Sequence, residues 1–234
     1  MNLNNKKYLC IIPARAGSQG IKNKNIKKLD GLSLIEHTLK FSKKFKNEFD
    51  IVVSSDSKKI LSLGKKYNFI SDKLRPKKLC QNNSLTIDVV KYELKRIEKK
   101  YEKNYDAILL LQPTVPYRKI EDIRLCLKKI NNRFYDSVVS IKNVEGIHPL
   151  RMKIFRGKYI VNYSNEKKEN MLPRQKLPKV FLRSGSIYMI KRDKMLKLNS
   201  MVGNRTYGLE QFGKFTINID NDFDLFFARN KSKI

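Results

Sequence analysis

Gly17 and Gly20 sit among Arg15, Lys22 and Lys24 in the run CIIPARAGSQGIKNKN, Cys10 to Asn25. Glycines let a chain turn tightly and bring its backbone close to a ligand, so successive N–H groups can point into one concavity, while the three cations surround it with positive charge. The combination suits a polyphosphate. No Gly-Lys-Ser/Thr closes the loop as in a Walker A motif, and the glycines lack the Rossmann spacing. A basic surface loop between a strand and a helix would show the same glycines.

Two further stretches carry chemistry. Gln112-Pro113-Thr114-Val115-Pro116-Tyr117-Arg118 follows the apolar run from Asp106 to Leu111. Near the carboxyl end, Phe215 to Ile219 runs into Asp220-Asn221-Asp222-Phe223-Asp224. Carboxylates at the end of an apolar strand, beside a triphosphate loop, are placed to hold Mg²⁺. Asp222 can equally cap the helix that starts there.

The stretch PARAGSQGIKNKNIKKLDGLSLIEHT, Pro13 to Thr38, resembles the opening motif of the CMP-sialic acid synthetases (acylneuraminate cytidylyltransferases). Further matches follow in order: Arg75-Pro76, the LLLQPT-x-P stretch ending at Pro116, Pro173-Arg174-Gln175, and Ser184-Gly185-Ser186-Ile187-Tyr188. The resemblance implies a nucleotide site made of Ala14, Arg15, Gly17, Ser18, Gly20, Lys24, Asn25 and Arg75. It implies sugar contacts from Gln112, Arg174, Ser184 and Gly185, with the Arg174 guanidinium pairing the sugar carboxylate through two hydrogen bonds. Asp220 and Asn218 would hold Mg²⁺, and Arg15, Lys24 and Asp220 would serve the chemistry. For three of these residues a plainer role stays open: Arg75 as a solvated cation, Gln112 as a strand-end amide capping a backbone group, Tyr188 as core.

The implied substrates are CTP and an acidic nine-carbon sugar. The implied reaction attacks the α-phosphorus of CTP with the anomeric hydroxyl and releases pyrophosphate. Three positions depart from the family pattern: Gln19 stands where a lysine is frequent, Asn218-Ile219-Asp220 where Asp-Ile-Asp is expected, and Ser184 where an asparagine precedes the glycine. They point either to a sugar other than the common sialic acid, such as legionaminic or pseudaminic acid, or to weakened catalysis. Other readings are a synthetase for ketodeoxyoctonate and a silent relative that binds nucleotide or RNA.

These residues need elements to position them. Tyr8 to Ile12 reads as a strand buried on both faces and stopped by Pro13. A helix should span Gly31 to Lys44, a second strand Ile51 to Ser55, and a helix capped by Asp56-Ser57 should run to about Tyr67. Helices over Leu85 to Lys103 and Ile120 to Asn132 alternate with strands at Asp106 to Leu111 and Ser137 to Ile141. The last strand is expected at Phe215 to Ile219, before a terminal helix reaching about Asn230. This order predicts an α/β fold, a Rossmann-like mostly parallel sheet flanked by helices, with the site beyond the carboxyl ends of the strands. His37 and His148 have no metal-ligand or nucleophile partner in sequence and are left to structure.

From Met152 the pattern changes. A hairpin is expected at 153–155 and 159–161 around Arg156-Gly157-Lys158, then an extended arm over Met171 to Pro178. The resemblance makes 150–190 a dimerisation and sugar-closing insertion in one domain of residues 1–234, hence a homodimer.

At 234 residues the chain can bury a full core. Cys10, Cys80 and Cys126 are widely spaced, which argues against a disulfide framework or a zinc site. No apolar run nears the roughly 20 residues that cross a bilayer, and MNLNNKKYL lacks a signal-peptide core, so a cytoplasmic protein without membrane insertion is expected. A net charge of +29 raises nucleic acid as a partner. The lysines are scattered in pairs instead of forming a stripe, so it reads as a charge lean that draws nucleoside triphosphates to the site.

Overall fold

A computed structural model describes residues 7–17, 20–144, 146–164 and 171–231. β1 (Tyr8–Pro13) enters the glycine-bearing loop, and a small hairpin of β2 (Lys28–Leu29) and β3 (Leu32–Ser33) leads to α1 (Leu34–Ser42). A capping box starts α1: Ser33 accepts from the Glu36 N–H while the Glu36 carboxylate accepts from the Ser33 backbone. β4 (Phe49–Ser54), α2 (Lys58–Lys66) capped by Ser57, α3 (Thr86–Tyr101), β5 (Ala107–Leu110), α4 (Ile120–Ile130) and β6 (Ser137–Asn143) continue the alternation. Then come the β7 (Lys153–Arg156) and β8 (Tyr159–Asn162) hairpin, β9 (Phe181–Lys191), α5 (Arg192–Leu198), β10 (Thr206–Glu210) and α6 (Asp222–Lys231).

The six-stranded sheet runs β10-β6-β9-β5-β1-β4. β1 pairs in parallel with β4 and β5, and β10 with β6, whereas β9 runs antiparallel between β5 and β6. The expected mostly parallel sheet is therefore present. After β1 the chain goes first to β4 on one side and later to β5 on the other, which makes the ends of β1 and β5 a switch point that opens a crevice.

Alternation along the strands builds two layers. Cys10, Ile12, Ile51 and Leu109 face α1, α2 and α4 through Leu39, Ile60 and Ile123. Leu9, Ile11, Val52 and Ile108 face α3 and α5 through Val90, Leu94 and Met195. A third cluster joins Ile21 and Leu29 to Ile217, Ile219 and Leu225, so it fastens the carboxyl-terminal segment to the loop that follows β1.

The strand expected at Phe215 to Ile219 does not form. Gly213–Thr216 is a 3-10 turn, and the chain then runs extended, with the Ile219 N–H on the Thr114 carbonyl at 2.8 Å. Ile217 and Ile219 produced the strand-like pattern, and they are buried in the third cluster instead of in a ladder. The expected arm over Met171 to Pro178 contains the 3-10 turn Arg174–Lys176 and no strand. Cys10, Cys80 and Cys126 are free thiols, and among the described residues no helix is long and apolar enough to cross a membrane.

Candidate active site

A cleft of about 560 Å³ opens at the switch point. Pro13, Arg15, Gly20, Lys24, Asn25, Arg75, Gln112, Pro113, Thr114, Asn218 and Asp220 line it, with Gln81, Asn82, Ser84 and Thr86 opposite. Residues far apart in sequence meet because the loop after β1, the segment after β5 and the stretch before α6 all end at the same edge of the sheet.

The loop is anchored before any ligand arrives. The Ala14 N–H donates to the Ser54 carbonyl at 2.9 Å, the Ala16 N–H to Asp56 Oδ1 at 2.7 Å, and Asn25 Nδ2 to the Arg15 carbonyl at 2.9 Å. Arg15 Nη1 crosses the cleft to the Gln81 carbonyl at 2.9 Å. Gly20 packs on the carboxyl-terminal segment: a Cβ there would lie 2.1 Å from the Asp220 carbonyl oxygen, so no side chain fits. A Cβ added at Gly17 would meet nothing within 4 Å among the described residues.

Lys24 Nζ and Asp220 Oδ1 form an ion pair at 2.8 Å, and Asn218 Nδ2 donates to the other Asp220 oxygen. Asn218 Oδ1 is buried with no hydrogen-bond partner among the described residues. Asp224 caps α6 by accepting from the Asp220 and Asn221 N–H groups at 2.8 and 3.0 Å, so the capping role expected of Asp222 belongs to Asp224 and Asn221. Among the described residues no group of three or more His, Cys, Asp or Glu side chains could hold a metal by itself.

Arg75 is not a solvated cation. It is 6 % exposed, its Nε donates to Ser54 Oγ at 3.0 Å and its Nη2 to the Ser54 carbonyl. Burial pushes its pKa down, against the pull of Cys80, Asp56 and Glu93. Ser54 in turn donates to Glu93 Oε1 at 2.7 Å, and Arg96 Nε holds the other Glu93 oxygen at 2.7 Å. The cleft arginine thus rests on a buried carboxylate of α3.

Gln112 lines the cleft beside Gly185, whose φ of +80° suits glycine and whose added Cβ would lie 3.4 Å from Gln112 Oε1. Ser184 is not brought to the cleft: its hydroxyl lies 2.7 Å from Ser140 Oγ and 3.0 Å from Gln211 Oε1 inside the sheet, with one proton to share between them. Arg174 is exposed on the arm and does not line the cleft of its own chain. Ala14 is buried under the loop, Ser18 and Gln19 lie outside the described residues, and Tyr188 packs into the core. His37 and His148 both bind backbone carbonyls, of Leu29 and Pro178.

In the sequence Asp56 has only a helix-cap role, and no motif marks Glu93 or residues 81–86. For Glu93 a signal existed, since it stands on the same helical face as Val89, Val90, Leu94 and Ile97, where a charge needs a partner.

Residues 9–224 match the family model described as Cytidylyltransferase. The chain is 30 % identical over 222 residues to the CMP-N,N'-diacetyllegionaminic acid synthase of Campylobacter jejuni, covering 93 % of this chain and 92 % of that protein. Post-translational flagellin modification protein B of Campylobacter coli is 29 % identical over 223 residues, with 93 % and 92 % covered. An N-acylneuraminate cytidylyltransferase of Streptococcus agalactiae is 29 % identical over 225 residues; they cover 93 % of this chain and 51 % of that longer protein. Among solved structures, CMP:2-keto-3-deoxy-manno-octonic acid synthetase complexed with CTP superposes with a TM-score of 0.63 at 14 % identity, over 97 % and 99 % of the two chains, which speaks to the fold. With the family model spanning nearly the whole chain and these relatives beside it, the chain belongs to the cytidylyltransferases, in the family of the CMP-sialic acid synthetases.

Proposed function

We propose that the chain transfers CMP from CTP to the anomeric hydroxyl of a sialic-acid-like nonulosonic acid and releases pyrophosphate. The observation that carries this is the contact of Gly20 with Asp220, which closes the cationic loop and the carboxylate segment over one cleft with Gln112 at its other wall. In the transfer, the anomeric oxygen forms a bond to the α-phosphorus and gives up its proton to solvent as the bond from that phosphorus to the β-phosphate oxygen breaks and pyrophosphate leaves. Arg15, Lys24 and the loop amides neutralise charge on the triphosphate, Arg75 fixes it from the far wall, and Asn25 sits where a nucleoside can contact it.

Mg²⁺ fits the donor set as a shared site. Asp220 would offer a carboxylate and Asn218 Oδ1, without a partner among the described residues, an amide oxygen, with substrate phosphates as the remaining oxygen donors such an ion prefers. Bound there, the ion supplies charge to the leaving pyrophosphate. Asn218 in place of a carboxylate means weaker metal binding, so Asn218→Asp should tighten it, as Mn²⁺ titration would read directly.

The homodimer and the cytoplasmic setting, where CTP is available, belong to the same proposal. Phe155, Tyr159, Ile160 and Met171 are all exposed on the 150–190 insertion, the surface a second subunit would cover. Arg174, away from its own cleft, then meets a sugar carboxylate only where one subunit's arm crosses the other's site.

The test is pyrophosphate release from CTP with sialic, legionaminic, pseudaminic and ketodeoxyoctonic acids, with and without Mg²⁺. Turnover with a nonulosonic acid and metal is expected. Release with ketodeoxyoctonic acid alone, or with none of the four, overturns the assignment.

A further inference from the structure

Arg118 takes no part in the transfer as drawn, yet like Arg75 it is a buried cation close to the cleft. Its guanidinium is buried, and its acceptors are all neutral: the Gln112 carbonyl at 2.6 Å from Nη2, the Ser186 carbonyl at 3.0 Å from Nε, and Thr38 Oγ1 at 3.2 Å from Nη1. No ion pair to it is formed among the described residues. A cation buried without a carboxylate costs several kcal/mol, and an apolar side chain would fill the same space more cheaply. The geometry of the three acceptors says what the fork provides instead.

Each acceptor lies on a different segment. Gln112 follows β5, Thr38 is on α1, and Ser186 is within β9. There the β6–β9 ladder shifts register between Val139 and Ile141, so residues 184–187 fall between its registered stretches and short of the paired part of β5. The Ser186 carbonyl, released from both ladders, is taken by Arg118. The same irregularity puts Gly185 at φ +80° against the Gln112 carboxamide. One planar cation therefore ties the backbone under Gln112 to the backbone beside Gly185.

We propose that Arg118 is a positioning residue that sets the Gln112 carboxamide against Gly185 and so shapes the sugar half of the cleft. The inference rests on Gln112 facing the sugar. A lysine keeps the charge but cannot reach three acceptors from one plane.

Arg118→Lys should raise the KM for the sugar about tenfold or more, since a misplacement of about 1 Å can cost as much as a hundredfold. The KM for CTP should change less than about twofold, because the CTP wall hangs on Ser54 and Glu93. In the Gln112→Ala background the same substitution should add almost nothing, as expected when one residue acts through the other. Equal rises in both KM values, additive effects in the double variant, or an unchanged sugar KM would overturn the proposal. The Gln112 side-chain amide resonance, assigned by its loss in Gln112→Ala, provides a readout without turnover. It should move in Arg118→Lys and, by less, in Thr38→Val, while the Asn25 amide stays in place. If the wild-type enzyme turns over no nonulosonic acid, the sugar reading fails, and this resonance alone decides the clamp: no movement in either variant refutes it. Thr38→Val also serves should Arg118→Lys not fold.

Discussion

At the scale of single residues, the two loop glycines have different jobs, and the difference is measurable. Gly20 has no room for a Cβ because the Asp220 carbonyl occupies that space, whereas a Cβ at Gly17 would meet nothing within 4 Å among the described residues. Gly20→Ala must push the loop off the carboxyl-terminal segment, so the affinity for CTP should fall by about tenfold or more, the cost of about 1.4 kcal/mol. Gly17→Ala should retain most of the affinity in the same calorimetric titration. The sequence marked both as loop glycines, but only the fold shows which one another chain segment touches. Arg75 teaches the same lesson. Its place before Pro76 suggested a nucleotide contact, while the buried Ser54 and Glu93 behind it had no motif to announce them, since partners are made by folding and not by spacing.

At the scale of elements, long periodic segments were legible and short or interrupted ones were not. The helices α2, α3 and α4 lie within a few residues of their expected spans because an apolar stripe repeats along each. β10 is not legible in the sequence because Gly208 interrupts Thr206–Glu210; a Cβ there would come within 2.7 Å of Ile141 Cδ1, the tip of a flexible side chain that can shift. The expected strand at Phe215 to Ile219 failed for the opposite reason: its alternation is satisfied by the third cluster, with no neighbouring edge to pair with. Between α3 and β4, the Ser54–Glu93–Arg96 chain is the tie that matters for the site. Glu93→Gln should lower the melting temperature, at a cost of about 1–3 kcal/mol for disturbing a buried charged hydrogen bond. It should also raise the KM for CTP by loosening Arg75, with the sugar KM little changed; equal effects on both would remove the link to the nucleotide wall.

At the scale of the whole molecule, charge and pH enter. The net charge of +29 should favour encounter with CTP, so the CTP association rate should fall steeply as salt rises, whereas a flat response in stopped flow would leave the charge to solubility alone. Asp72 reports acid stability. Burial raises its pKa, but hydrogen bonds from Lys100 and Arg96 outweigh burial and bring it from 3.8 down to about 2. Because the folded value is the lower one, its contribution is present above pH 3.8 and is lost as the pH falls toward about 2. Asp72→Asn should flatten the acid limb of the unfolding curve over that window.

Two cavities at opposite poles of the sheet provide an internal control for the central claim. The cleft holds Gly20, Lys24 and Asp220, while Tyr8, Asn104 and Arg133 line a second cavity of about 460 Å³ at the other ends of β1 and β5. Paramagnetic broadening by Mn²⁺ with CTP, read at backbone amides, reports which pole receives the nucleotide. Gly20, Lys24 and Asp220 should broaden together while Asn104 and Arg133 stay sharp. Broadening of Gly20 without Asp220, or of the opposite pole, would contradict the central claim.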